Sequence, residues 1–116
     1  MKILIVDDDL HIQRLYKEEF EDEGYEVVVA SNGQEAIEMF EKESPDIVTL
    51  DILLPDIDGI RVLRQMKEKN PKIPVIMSTA YDYRDDFAVW ASEAYIVKSS
   101  DLDELKIMIK KLLIKQ

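Results

Sequence analysis

Acidic, hydroxyl and basic side chains follow the apolar segments of this chain at positions where they could act together. Asp7 and Asp8 come directly after the first apolar run, and Asp51 ends a later one. Thr79 and Lys98 follow two further apolar runs. If these runs are parallel strands of one sheet, their carboxyl ends lie along one edge, and we expect the five side chains to converge there.

Carboxylates that converge in this way repel one another, by on the order of 4 kcal/mol for a pair about 4 Å apart at an effective dielectric constant near 20. A hard divalent cation removes the repulsion, and Mg²⁺ prefers oxygen ligands such as carboxylates. Its charge would also attract an anionic phosphoryl group. Asp51 could then act as a carboxylate nucleophile, with Lys98 and Thr79 contacting the phosphoryl oxygens.

Five apolar segments with strand character alternate with amphipathic helical patterns. The predicted strands are Lys2–Asp7, Tyr25–Ala30, Asp46–Asp51, Val75–Ser78 and Tyr95–Val97. The predicted helices are Leu10–Asp22, Gly33–Glu43, Asp58–Lys69, Asp82–Ala91 and Asp101–Lys115. This alternation predicts an α/β fold, a doubly wound five-stranded parallel sheet flanked by five helices. We adopt the flavodoxin-like strand order 2-1-3-4-5, which places a ligand crevice at the ends of strands 1 and 3.

The first two predicted helices have clear starting signals. Asp8 or Asp9 can cap the first helix, and Ser31 or Asn32 can cap the second. The first helix also has an apolar row at a spacing of four, which we expect to face the core, with Leu15 at its edge. The row consists of Ile12, Tyr16 and Phe20.

Length and composition limit the classes of function. The 116 residues suit one domain, residues 1–116, with room for one hydrophobic core. A formal net charge of −10 argues against direct binding to nucleic acid or to an anionic membrane, because both are polyanions. The chain has no cysteine, so disulfides and thiolate metal sites are excluded. No segment reads as a signal peptide or a membrane span, and we predict a cytoplasmic protein.

Taken together, these motifs resemble the signature of the receiver domains of response regulators, and the resemblance covers the whole chain. An Asp-Asp pair alone is a weak indication, whereas the D-x-x-x-P-x-x-D-G run with a downstream lysine is a strong one. The matching motifs are Asp7-Asp8, the run from Asp51 to Gly59, Ser78-Thr79-Ala80 and Tyr95-Ile96-Val97-Lys98.

The resemblance implies a role for each residue of the site. Asp51 would be the phosphoacceptor, and Lys98 would contact the phosphoryl group. Asp8 would bind Mg²⁺ directly and Asp7 through water, with Asp51 and the backbone carbonyl of Leu53 as further ligands. Such a chain would catalyse only its own phosphorylation and slow self-dephosphorylation, and would not be an enzyme with a separate substrate.

The resemblance also implies a conformational switch and a partner. Thr79 and Tyr95 would form the switch pair, and the donor would be a phosphohistidine on a sensor histidine kinase or a histidine phosphotransfer protein. In the family the kinase docks against the first helix, where Ile12 and Leu15 are the candidate contacts. We expect a monomer, with a phosphorylation-dependent dimer as an alternative.

Two departures from the family pattern lead to predictions. Ser99 follows Lys98 where proline is usual, and a cis bond before serine costs roughly 3–4 kcal/mol, so a trans bond is expected. The residues two positions after the phosphoacceptor and two after the switch threonine tune the phosphoryl lifetime in the family. Here they are Leu53 and Tyr81, neither of which can orient an attacking water, so slow self-dephosphorylation is expected.

The same residues distinguish the receiver interpretation from other functions. A haloacid-dehalogenase-type phosphatase needs a second aspartate at position 53, which is Leu53. A flavodoxin-like electron carrier needs a phosphate loop where this chain has three aspartates. A receiver-like module that binds partners without phosphorylation stays open, although such modules typically lack one of the site residues. The expected form is a stand-alone receiver, with the excised receiver of a larger DNA-binding regulator as the alternative.

Overall fold

The structure is a computed structural model that describes residues 1–79, 94–97 and 102–114. Within these ranges the strands are β1 (Lys2–Val6), β2 (Glu26–Ala30), β3 (Ile47–Leu50), β4 (Val75–Thr79) and β5 (Ala94–Val97). The helices are α1 (Leu10–Asp22), α2 (Gly33–Glu43), α3 (Gly59–Lys69) and α4 (Asp103–Ile114). The helix predicted over residues 82–91 lies outside the described residues, so α4 corresponds to the last helix of the prediction.

The strands form a parallel sheet in which β1 lies between β2 and β3. Pairing of β3 with β4 gives the order β2-β1-β3-β4, which confirms this part of the predicted order, and β5 pairs with the outer edge of β4. Val6, at the end of β1, is in register with Ala30 on one side and with Leu50 on the other. The residues that follow these three strand ends therefore lie side by side.

Helices cover both faces of the sheet, so β1 and β3 are apolar and buried along nearly their whole length. Alternate side chains enter two separate cores. Leu4 and Val6 of β1 pack toward α2 and α3. Ile3 and Ile5 of the same strand pack toward α1 and α4. Burying large apolar side chains contributes about 1.5–3 kcal/mol each, which holds the strand ends in register.

The predicted helix caps are resolved to single residues. Asp9, not Asp8, caps α1, and its carboxylate accepts hydrogen bonds from His11 N at 2.8 Å and Ile12 N at 3.4 Å. Asn32, not Ser31, is the N-cap of α2 and accepts from Glu35 N at 2.8 Å.

The core row of α1 differs from the expectation in the degree of burial of its first residue. Tyr16 and Phe20 are buried as predicted, but Ile12 is only half-buried at the edge of the core. Gln13 is the buried residue of the first turn, with 7% of its surface exposed. It is buried because its amide has polar partners near the end of β1, which helical spacing does not reveal.

The described helices are all too short, and carry too many charges, to be candidates for crossing a bilayer.

Gly59 marks the closest approach between α3 and the segment that follows β3. A Cβ atom at this position would lie 2.1 Å from the backbone oxygen of Asp51 and 2.7 Å from Cα of Ile52. Both are backbone atoms of a segment held on the sheet, so neither can move away cheaply. Gly59 N also donates a hydrogen bond to Ile52 O at 2.9 Å. The N-terminus of α3 therefore rests directly on the two residues that follow β3, Asp51 and Ile52.

We expect Gly59→Ala to lower the free energy of unfolding by about 2–3 kcal/mol, because the added methyl group forces the helix away from the sheet. The midpoint and slope of urea unfolding measure this loss. Gly24→Ala is the matched control. Gly24 has a φ of 92° and free space around a Cβ, so alanine there should cost only about 1 kcal/mol of backbone strain. Equal losses in the two variants would contradict the close-approach argument.

Candidate functional site

Three carboxylates converge at the carboxyl ends of β1 and β3. Carboxylate oxygens of Asp7, Asp8 and Asp51 all lie within 4.8 Å of one another. Asp7 and Asp51 are buried, with 2% and 6% of their surfaces exposed, whereas Asp8 is exposed. The cluster therefore has two buried members and one that borders solvent, which leaves it accessible from one side.

Backbone pairing beyond the strand ends places the two buried carboxylates. Asp7 N donates to Ala30 O at 3.0 Å, and Asp51 N donates to Val6 O at 3.1 Å. These bonds continue the pairing of β1 with both of its neighbours by one residue. Asp7 and Asp51 are therefore adjacent because their strands are adjacent.

The three consecutive aspartates divide into different roles. The Asp7 carboxylate accepts a hydrogen bond from Asp9 N at 2.9 Å, and Asp9 in turn caps α1. Asp9 is absent from the carboxylate cluster among the described residues. The turn between β1 and α1 thus uses one aspartate as a helix cap and directs the other two to the cluster.

Gln13 stabilises this turn from the protein interior. Its side-chain nitrogen donates to Asp7 O at 2.5 Å and to Ser31 Oγ at 2.8 Å. Since Gln13 is buried, these bonds satisfy an amide that would otherwise be costly to desolvate. The sequence offered one weak signal of this role, a polar residue at the position beside an apolar row.

The segment after β3, residues 51–58, folds back toward the cluster. Asp51 Oδ1 accepts from Leu53 N at 3.2 Å, and Asp58 caps α3 by accepting from Ile60 N at 2.8 Å. Leu53 is 49% exposed, so the residue lies at the rim of the site.

Asp56 joins this segment to α2, a contact that sequence reasoning missed. Its two carboxylate oxygens accept from Gly33 N at 2.7 Å and Gln34 N at 2.9 Å, at the first turn of the helix. The N–H groups of Gln34 and Gly33 hold the pKa of the Asp56 carboxyl below its ordinary value. Loop aspartates are common, and only the tertiary packing identifies this one as a cap.

The carboxylate cluster suits Mg²⁺. Like charges at these separations repel, and their oxygens form the hard donor set that Mg²⁺ prefers. The open side beside Asp8 leaves room for the waters and the phosphate oxygen that Mg²⁺ usually keeps. The residues present therefore fit the predicted cofactor.

The other predicted site residues are placed only in part. Thr79 is the last residue of β4, the strand that neighbours β3. Tyr95 lies in β5, in register with Met77 of β4. Lys98, the Lys98–Ser99 bond and Tyr81 lie outside the described residues. Ile12 and Leu15 are half-buried on α1 and contact the core that α1 shares with α4.

Comparison with known proteins agrees with this geometry. Residues 3–110 match the family model of the response regulator receiver domain. Sporulation initiation phosphotransferase F of Bacillus subtilis is 40% identical over 115 residues, which are 97% of this chain and 93% of that protein. The regulatory protein AtoC of Escherichia coli is 37% identical, but the 97% of this chain that aligns spans only 25% of AtoC.

Solved structures give the same result. The response regulator TrrA of Thermotoga maritima, in complex with Mg²⁺ and BeF, superposes with a TM-score of 0.92 at 45% identity, covering 96% of this chain and 97% of that one. TrrA in complex with the histidine kinase ThkA superposes with a TM-score of 0.91, covering 97% of each chain. The acidic cluster fits a phosphoacceptor site, and the chain belongs to the response regulator receiver domain family.

Proposed function

We propose that this receiver domain accepts a phosphoryl group on Asp51, in a reaction that requires Mg²⁺. The donor is a phosphohistidine on a sensor histidine kinase or a histidine phosphotransfer protein. One observation carries the proposal, namely that oxygens of Asp7, Asp8 and Asp51 lie within 4.8 Å of one another in a chain of the receiver family.

The transfer is a displacement at phosphorus. The Asp51 carboxylate forms the new P–O bond while the P–N bond to the donor imidazole breaks, and the bonding electron pair returns to the ring nitrogen. Bound Mg²⁺ supplies positive charge for the phosphoryl oxygens. Asp8 is the proposed direct ligand and Asp7 the ligand through water, with Asp51 and the Leu53 carbonyl as further ligands. The hydrogen bond from Leu53 N to Asp51 Oδ1 supports this assignment, because it keeps Leu53 beside the phosphoacceptor.

Three further residues complete the proposed reaction and its output. Lys98 contacts the phosphoryl group as a flexible point charge. The Thr79 hydroxyl moves toward the same group, and the ring of Tyr95 turns inward, so that phosphorylation shifts a pre-existing equilibrium between two states. Pairing of β4 with β5 supports this coupling, since it joins the strands that carry the switch residues.

The partner assignment draws on the relatives. TrrA forms a complex with a histidine kinase, and the Bacillus relative is a phosphotransferase of sporulation initiation. We propose a kinase or phosphotransfer partner here as well, docking on α1 at Ile12 and Leu15. We also propose that the protein is cytoplasmic.

Two architectures agree with the relatives. This chain spans most of the Bacillus phosphotransferase, which supports a stand-alone receiver. It spans 25% of AtoC and 48% of the Bacillus subtilis regulator PhoP, which supports the alternative of a receiver within a larger DNA-binding regulator. In either form, we propose one domain over residues 1–116 with five strands and five helices. It does not contact nucleic acid itself and is a monomer, with a phosphorylation-dependent dimer as the alternative.

We expect acetyl phosphate and Mg²⁺ to add one phosphoryl group to the wild-type chain, and none to Asp51→Asn. Asparagine keeps the shape of the side chain but removes the nucleophilic oxygen. Intact-protein mass spectrometry measures the change, and a chelator added beforehand should abolish it. If neither the wild type nor Asp51→Asn gains mass, the phosphoacceptor assignment is wrong, and a binding module that is not phosphorylated becomes the better interpretation.

We also expect slow self-dephosphorylation, because the side chain of Leu53 cannot orient an attacking water. Leu53→Asn should shorten the phosphoryl lifetime about tenfold by introducing a polar group that can position water. Leu53→Met is the control, since it stays apolar and both variants keep the backbone carbonyl. Decay of the phosphorylated mass after donor removal gives the lifetimes. Equal lifetimes in the two variants, or a wild-type lifetime as short as that of fast chemotaxis receivers, would contradict the expectation.

A further inference from the structure

The first turn of α2 depends on a residue from another part of the chain. The four N–H groups at a helix start have no partner within the helix. In α2, Ala36 N already makes the first bond within the helix, to the backbone oxygen of the N-cap Asn32, and Glu35 N donates to the Asn32 side chain. Gly33 N and Gln34 N have no partner within the helix and donate to Asp56. Asp56 therefore accepts from two of the first three N–H groups of a helix that begins 23 residues earlier in the chain.

Contact between the two segments is close. A Cβ at Gly33 would lie 3.0 Å from Cβ of Ile57 and 3.0 Å from Cγ2 of Val62. Gly33 thus allows the start of α2 to lie against residues 56–57, and the hydrogen bonds to Asp56 form across this contact. The negative charge of Asp56 also faces the positive end of the α2 dipole, which favours the same arrangement.

The segment held in this way carries part of the proposed metal site. Residues 51–58 run from the phosphoacceptor to the start of α3, and Leu53 lies in their middle with a half-exposed side chain. Leu54 and Ile57 contact the core, but apolar contacts are not directional. The two hydrogen bonds of Asp56 are directional, and they join the segment to a helix rather than to another loop.

We propose that Asp56 is a positioning residue for Mg²⁺ binding, which anchors residues 51–58 on α2 so that the Leu53 carbonyl faces the carboxylate cluster. The inference rests on the proposed function, in which that carbonyl is a ligand. Groups that orient metal ligands typically change metal affinity by 10-fold to 100-fold when they are removed.

Charge must be separated from geometry in the test, because any carboxylate near the site attracts a cation. Asp56→Ala and Asp56→Asn remove the same charge. The asparagine oxygen can still accept from one of the two N–H groups, whereas alanine accepts from neither. Glu68→Gln, at an exposed position of α3, removes one charge from another part of the surface.

The experiment is calorimetric titration of the full chain and its three variants with Mg²⁺. We expect the dissociation constant to rise about tenfold in Asp56→Ala and by a smaller factor in Asp56→Asn, with little change in Glu68→Gln. Saturating Mg²⁺ should restore phosphorylation of Asp56→Ala by acetyl phosphate to near the wild-type rate, because affinity and not chemistry is impaired. A merely structural role would lower thermal stability without this recovery.

Other results overturn the inference. Equal dissociation constants for Asp56→Ala and Asp56→Asn would mean that Asp56 affects Mg²⁺ binding only through its charge. This holds even if the alanine variant were less stable. If the wild type is phosphorylated and the ranking of affinities is absent, the anchor alone is wrong. If the wild type binds Mg²⁺ without being phosphorylated, the proposed function fails while the affinities still decide the role of Asp56. Absence of Mg²⁺ binding by the wild type overturns both.

Discussion

Repulsion among three carboxylates within 4.8 Å is the constraint on which the rest of this structure depends. Two of these groups are buried, where removing charge from water is most costly. Such an arrangement persists only if other interactions hold the strand ends in place. The two apolar cores provide them, because helices on the two faces of the sheet bury β3 and every residue of β1 except Lys2. The packing of the sheet thus holds the three carboxylates together, although without a cation their repulsion destabilises the fold.

Local polar contacts then determine the shape of the site. Asp9 takes the role of helix cap, and Gln13 holds the backbone of Asp7 from inside the protein. On the other side, Gly59 lets α3 rest on the Asp51 carbonyl, and Asp56 joins the following segment to α2. Each carboxylate of the cluster is therefore placed by backbone that is itself restrained at a neighbouring helix. A cation that binds there meets ligands already near their positions, which reduces the entropy that binding would cost.

Much of the fold and part of the site were predictable from the sequence. Uninterrupted apolar runs predicted the buried parallel strands, and the limits of α1, α2 and α3 agreed to within one residue of prediction. The placement of Asp7 and Asp51 followed, since neighbouring parallel strands end at one edge. The burial of Gln13 in place of Ile12 was not predictable, because helical periodicity reports the apolar face but not the polar partners nearby. The cap from Asp56 was equally hidden, since a capping signal is normally sought next to the helix it serves.

The sequence by itself determined which residues could perform chemistry and which strand ends carry them. Residue type, apolar periodicity and turn residues are local properties, and they suffice for the order of elements and for the candidate roles of Asp7, Asp8 and Asp51. Only the tertiary structure decided that Asp9 leaves the cluster, that Gln13 is buried, and that Asp56 caps a distant helix. These outcomes depend on which segments the two cores bring into contact, and a hydrogen bond between residues 23 positions apart leaves no periodic mark on the chain.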